Sequence, residues 1–138
     1  MINNSSLPAP SEFERKIVQV LSRFDSVVLA YLFGSFATGR PHAFSDVDVG
    51  IYFKKPSLKE FMSVHGALSR TLGIEVDMIP LNNAPPLMRY EILRKGKRLV
   101  SKDEKTRVAY ESRAIMEGLD EKPLIEFIRE ANLRRVTA

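Results

Sequence analysis

The chain has 138 residues, a mass of 15.6 kDa and 44% hydrophobic residues, so its length predicts a single domain with its own hydrophobic core. The absence of cysteine excludes disulfides, cysteine-ligated zinc sites and a thiol nucleophile. A net charge of +4 suits a polyanionic partner, although an ordinary mixed surface gives the same value. The chain contains neither a signal-peptide pattern nor a run of roughly 18 apolar residues. We therefore expect a cytoplasmic protein with no membrane partner.

The predicted secondary structure begins after a polar segment, residues 1–10, which we expect to be flexible. Ser11 and Ser57 are each followed three residues later by glutamate, which is the capping-box spacing at a helix start. Gly73 and Gly96 stand where glycine typically ends a helix. The predicted elements are helix 11–24, strand 27–33, strand 46–53, helix 57–72, strand 74–79, a helix that follows Pro85-Pro86 and ends at about 95, edge strand 98–101, and closing helices 103–117 and 123–134.

This order of elements predicts an α/β (α+β) fold, in which helices pack against a short mixed β-sheet. The continuous apolar run 27–33 predicts a buried strand. No internal repeat or low-complexity tract interrupts residues 11–138, so we expect them to form one domain.

A glycine–serine pair, Gly34 and Ser35, directly follows the predicted buried strand. Glycine lets a phosphate approach the backbone, and serine adds a hydroxyl donor beside free amide groups. Most such pairs are ordinary turns, so this pair indicates a phosphate site only in combination with other residues.

Two aspartates, Asp46 and Asp48, begin the second predicted strand. Alternate residues of a strand share a face, which places their Cα atoms roughly 6.5–7 Å apart. Two such carboxylates repel each other unless a cation lies between them, and oxygen ligands favour Mg²⁺ or Mn²⁺ over zinc. The alternative is that both residues are turn or N-cap aspartates at the end of a loop.

A third acidic position lies in the predicted strand 74–79, where Glu75 and Asp77 share one face. An acidic side chain in the middle of an apolar strand is costly unless it has a partner. If this strand neighbours that of Asp48, Asp77 completes a three-carboxylate cluster, with Glu75 as the competing candidate. His65 is predicted to be a packed or half-exposed helix residue rather than a metal ligand.

The spacing of Gly34-Ser35, Asp46-x-Asp48 and the later Asp77 resembles the signature of the polymerase-beta-like nucleotidyltransferases. Within that superfamily, the short chain and the segments GSFATG and SDVDV most resemble the minimal nucleotidyltransferase (MNT) proteins. The resemblance covers about residues 11–100.

The resemblance implies an ATP-dependent nucleotidyltransferase that binds two Mg²⁺ ions, with Mn²⁺ as a possible substitute. Asp46, Asp48 and Asp77 would be the metal ligands and catalytic residues, and Asp77 would help the attacking hydroxyl lose its proton. Gly34 and Ser35 would bind the phosphates that leave as pyrophosphate.

One position departs from the family pattern. Many MNT proteins have the segment Gly-Ser-x-Ala-Arg-Gly, whereas here Thr38 stands at the arginine position and Arg40 comes two residues later. Arg40 is therefore a candidate for nucleotide binding, and an exposed loop arginine is the alternative.

MNT proteins commonly act as the antitoxin of a HEPN-type ribonuclease toxin, transferring AMP from ATP to a tyrosine of that toxin. The resemblance therefore implies a HEPN-type toxin as partner, without direct nucleic-acid binding by this chain. Two alternatives stay open: nucleotidyl transfer to a small hydroxyl compound or an RNA end, and a non-catalytic antitoxin that neutralises its toxin by binding. The basic segment 89–98 is either a docking or RNA-facing surface or a solvated helix end.

Overall fold

The computed structural model describes residues 11–34 and 47–137, without the side chains of 121–128 and 132–137. The predictions for residues 1–10 and for the loop 35–46 therefore lie outside the described residues. In chain order the described elements are α1 (Glu12–Ser22), β1 (Val27–Phe33), β2 (Val47–Phe53), α2 (Leu58–Leu72), β3 (Val76–Pro80), α3 (Pro86–Lys95), β4 (Lys97–Ser101) and α4 (Glu104–Thr137).

The four strands form one mixed sheet in the order β3-β2-β1-β4. Strand β1 is antiparallel to both of its neighbours, whereas β3 runs parallel to β2. The predicted fold class, a short mixed sheet with packed helices, is confirmed. Across the described ranges, no helix combines the length and the apolar character that crossing a membrane requires.

Helices cover both faces of the sheet, which explains why β1 is buried at six consecutive positions. On one face, Val49 and Ile51 of β2 pack with α1 and α2. On the other face, Tyr31 of β1 packs with Ile92 of α3 and Tyr110 of α4. Because successive strand side chains point to opposite faces, an apolar residue is needed at every position of β1.

Both predicted serine caps are present at the helix starts. The Ser11 hydroxyl accepts a hydrogen bond from the Glu14 amide, and the Ser57 hydroxyl accepts one from the Glu60 amide, each at 3.1 Å. The Glu60 carboxylate accepts a hydrogen bond from the Ser26 hydroxyl at 2.6 Å, so it joins α2 to the turn before β1. The capping serines therefore fix the helix starts, while Glu60 makes a tertiary contact.

Three predicted elements, one strand and two helices, differ from the structure. The third strand begins at Val76 rather than Ile74, whose side chain is 41% exposed and lies outside the core. The two predicted closing helices are one helix, α4, of 34 residues. Gly118 and Pro123 lie at the predicted break, and glycine and proline lower helix propensity by about 1 and 3 kcal/mol. Packing offsets part of that cost, because Gly118 lies directly against the Tyr90 side chain of α3.

Alanine substitutions at two helical glycines should change stability in opposite directions. A Cβ at Gly118 would overlap Tyr90, so Gly118→Ala should lower the free energy of unfolding by about 1–3 kcal/mol. A Cβ at Gly66 would meet only the flexible end of Arg70, 3.1 Å away, so Gly66→Ala should raise it by up to about 1 kcal/mol. Urea denaturation measures both changes. Equal stabilisation by the two substitutions would contradict the close α3–α4 packing.

Candidate functional site

Three of the six predicted site residues lie at one end of the sheet. Gly34 directly follows β1, while Asp48 and Asp77 are the second residues of β2 and β3. Because β1 is antiparallel to β2 and β3 is parallel to it, the end of β1 meets the starts of the other two strands. Chain direction within the sheet therefore gathers residues that are up to 43 positions apart in sequence.

Asp48 and Asp77 are paired residues of the parallel β2–β3 ladder. Paired residues on neighbouring strands point to the same face, and the strands lie about 4.8 Å apart. Asp48 is half-buried and Asp77 is exposed. The two carboxylates are thus neighbours on one face, with the outer one open to solvent.

This arrangement fits a divalent metal ion. Adjacent carboxylates repel each other unless positive charge compensates, and no lysine or arginine of the described ranges forms an ion pair with Asp77. Both donors are oxygens, which Mg²⁺ and Mn²⁺ prefer. No group of three His, Cys, Asp or Glu side chains within the described residues could hold a metal ion, and Asp46, the third predicted ligand, lies outside them.

Two features of the structure require glycine at position 34. Its φ of +77° lies in the left-handed region, which L-residues with a Cβ rarely adopt. In addition, a Cβ at Gly34 would overlap the carboxylate of Asp48. The sequence suggested only that this glycine admits a phosphate, whereas the structure shows that it also leaves room for the Asp48 side chain.

The other predicted residues divide into those beside the site and those outside the described ranges. Glu75 precedes β3, and its carbonyl accepts a hydrogen bond from the Val47 amide at 3.2 Å. Asp77, rather than Glu75, is therefore the residue opposite Asp48. Ser35, Arg40 and Asp46 lie outside the described residues, so their roles stay predictions.

The basic segment 89–98 is partly neutralised within the chain, because its five cations share four carboxylates. Each of its five cations forms an ion pair with a carboxylate: Arg89 with Glu117, Arg94 and Lys95 with Glu91, Lys97 with Glu14, and Arg98 with Glu111. A hydrogen bond from Lys95 lowers the pKa of Glu91 below its usual range. The segment is thus less available to a polyanion than its sequence suggests.

Comparison with known proteins gives matches at both the sequence and the structure level. Residues 15–105 match the family described as "Polymerase beta, Nucleotidyltransferase". A curated protein of Methanocaldococcus jannaschii, named "Putative protein adenylyltransferase MJ0435", is 33% identical over 84 residues, which are 60% of this chain and 89% of that protein.

Two solved structures share the fold over most of the chain. A toxin–antitoxin structure with AMP-PNP matches with a TM-score of 0.68 and 22% identity, covering 91% of this chain and 98% of the other. A tri-AMPylated Shewanella oneidensis HEPN toxin in complex with its MNT antitoxin matches with a TM-score of 0.62 and 20% identity, covering 91% and 97%. At these identities the likeness is one of fold.

Alanine at Gly34 should disrupt the site, and Gly73 supplies a matched control. Both glycines have positive φ, +77° and +68°, so each alanine adds roughly 1–2 kcal/mol of backbone strain. Only the Cβ at Gly34 meets Asp48, since a Cβ at Gly73 has no heavy atom within 4 Å. Calorimetric binding of Mg²⁺ with an ATP analogue should therefore be lost in Gly34→Ala and kept in Gly73→Ala. Equal binding by both variants would show that the glycine does not position Asp48.

Removing one carboxylate should reveal the repulsion between the pair. In the presence of EDTA, Asp77→Asn should raise the free energy of unfolding by roughly 0.2–1 kcal/mol, because like charges directly opposite each other destabilise a sheet. Adding Mg²⁺ should raise the Tm of the wild-type protein more than that of the variant. Thermal denaturation with and without Mg²⁺ measures both effects. If Mg²⁺ raised the Tm of both proteins equally, Asp77 would not be a metal ligand.

Proposed function

This chain belongs to the polymerase beta nucleotidyltransferase family, and on that basis we propose that it is an antitoxin that transfers AMP from ATP to a tyrosine of a HEPN-type toxin. The observation that carries the proposal is the pairing of Asp48 with Asp77 beside Gly34 at one end of the sheet. The name of the 33% identical archaeal relative supports protein adenylylation. The fold shared with toxin–antitoxin structures supports a toxin as partner.

The proposed reaction is an in-line displacement at the α-phosphate of ATP. The acceptor oxygen forms a bond to the α-phosphorus, the bond from that phosphorus to the α,β-bridging oxygen breaks, and pyrophosphate leaves. The hydroxyl proton passes to Asp77, the exposed member of the pair, and from there to solvent. Asp46, Asp48 and Asp77 would hold Mg²⁺, which would supply positive charge near the reacting oxygens.

The nucleotide side of the site is assigned to Gly34, Ser35 and Arg40. Gly34 directly follows β1 and lies against the Asp48 carboxylate, and we assign its backbone amide to a phosphate bound beside that carboxylate. The Ser35 hydroxyl and the Arg40 guanidinium are proposed to donate hydrogen bonds to the phosphates of ATP. ATP is thus bound next to the metal ligands, and the acceptor enters on the side of Asp77.

A tyrosine of a partner protein suits this site as acceptor. A phenol with an unperturbed pKa near 10 ionises more readily than a serine hydroxyl, so a carboxylate is a sufficient base. The internal ion pairs of segment 89–98 favour a protein acceptor over RNA. We therefore assign a HEPN-type toxin as the partner and the cytoplasm as the location. Neither a membrane nor a nucleic acid is proposed as a direct partner.

Single substitutions at the carboxylates should abolish AMP transfer. Asp46→Asn, Asp48→Asn and Asp77→Asn should each reduce transfer by more than about 100-fold. Mutating even a residue that only hydrogen-bonds a metal ligand lowers metal affinity or activity 10–100-fold. Glu75→Gln is the matched control, since it removes a neighbouring acid that is not opposite Asp48, and it should keep activity within a few-fold of wild type. The assay uses ATP labelled at the α-phosphate, Mg²⁺, and a lysate of the source cells as acceptor.

The position of the label separates the alternatives. Label on one protein band, located on tyrosine by mass spectrometry, supports the proposal. Label on RNA or on a small molecule would replace the toxin with another acceptor. If Asp48→Asn lost transfer but still neutralised the toxin in cells, the protein would act by occlusion rather than by catalysis.

A further inference from the structure

The strand that carries Asp77 lies at the edge of the sheet. Strand β3 has five residues and pairs only with β2 in the described part of the sheet. The Val47 amide donates to the Glu75 carbonyl, and the Leu81 amide donates to the Ile51 carbonyl. Because the hydrogen-bonding direction alternates along a strand, the backbone of Asp77 also faces β2, and that of Val76 faces the free edge.

A histidine side chain from α2 occupies this free edge beside Asp77. Nε2 of His65 lies 2.9 Å from the Val76 carbonyl oxygen. The carbonyl can only accept, so Nε2 must carry the proton that is donated. The imidazole is half-buried and stacks on Phe61, with ring centroids 6.4 Å apart and an angle of 5° between the planes. Within the described ranges, no other side chain hydrogen-bonds the backbone of β3.

The location of the Asp77 carboxylate therefore depends on its backbone. The side chain is exposed, and within the described ranges no ion pair orients it. Val76 is anchored on two sides: its side chain is 3% exposed in the core, and its carbonyl is held by His65. Edge strands fray more easily than central ones, because hydrogen bonds hold only one of their sides.

We propose that His65 is a positioning residue that holds the start of β3 against α2 and so keeps the Asp77 carboxylate at the distance from Asp48 that metal binding requires. The inference rests on the proposed function, because it assigns His65 to the same metal site. We assign His65 no ligand role, because within the described residues it belongs to no group of three His, Cys, Asp or Glu side chains that could hold a metal ion. It acts as an outer-shell group that works through the backbone.

Two substitutions of His65 distinguish the effect of its hydrogen bond to Val76 from the effect of its ring packing on Phe61. His65→Phe keeps an aromatic ring against Phe61 but cannot donate to Val76. His65→Gln lacks the ring but carries an amide donor at nearly the position of Nε2. We expect His65→Phe to weaken Mn²⁺ binding by about tenfold, the lower limit for outer-shell partners, and His65→Gln to restore it to within a few-fold of wild type. Titration of Mn²⁺, with free Mn²⁺ measured by electron paramagnetic resonance, gives the dissociation constants.

Stability provides the control for a merely structural role. Both variants are measured well below their Tm, so that only folded protein contributes to binding. If His65→Phe lowered the Tm but bound Mn²⁺ like wild type, the hydrogen bond would serve stability alone and the proposal would be wrong. Equal losses of affinity in both variants would also overturn it, because the donor would then be irrelevant.

A measurement on the wild-type protein tests the contact without any variant. Nitrogen chemical shifts of the imidazole distinguish the two neutral tautomers, and the proposal requires the tautomer that carries its proton on Nε2. A proton on Nδ1 instead would rule out the hydrogen bond. Wild-type protein that neither binds Mn²⁺ nor transfers AMP would overturn the proposed function and this inference together. Active wild type with an unaffected His65→Phe variant would overturn this inference alone.

Discussion

The parallel pairing of β2 with β3 is the constraint on which the candidate site depends. It places two carboxylates opposite each other, and like charges at that position repel unless positive charge lies nearby. The same pairing buries Val47, Val49 and Val76 on the opposite face, where they belong to the hydrophobic core. A shift of one residue in register would turn every one of these side chains to the wrong face. Core packing therefore fixes the relative position of the two acids.

A second group of contacts secures the other half of the sheet. The Tyr31 hydroxyl of β1 donates a hydrogen bond to the Glu111 carboxylate of α4 at 2.8 Å, and Arg98 of β4 donates to the same oxygen at 2.9 Å. Burial, together with the adjacent Glu111 carboxylate, raises the pKa of Tyr31 far above its usual range, so this phenol stays neutral. One carboxylate thus joins the central strand, the edge strand and the long helix. Three residues after Tyr31, the chain reaches Gly34.

Local sequence predicted much of this fold because the signals act over short distances. The capping serines Ser11 and Ser57 and the left-handed Gly73 fixed helix ends where the structure has them. The break expected between 117 and 123 was wrong, because helix propensity is a weak effect that packing against α3 overrides. The predicted start of β3, Ile74, lies two residues before the observed start, Val76. Alternation in the sequence continues through Ile74, but the core does not extend to it.

The sequence by itself determined the residue types of the site and their spacing, and from these we predicted a hard cation and a phosphate-bearing substrate. It could not decide which acid lies opposite Asp48, because that depends on strand order and register, which long-range packing sets. It likewise gave no sign that the missing Cβ of Gly34 makes room for Asp48, or that His65 reaches the Val76 carbonyl. Such contacts join residues 11 to 14 positions apart through the folded chain. Only the tertiary structure brings them within hydrogen-bonding or van der Waals distance.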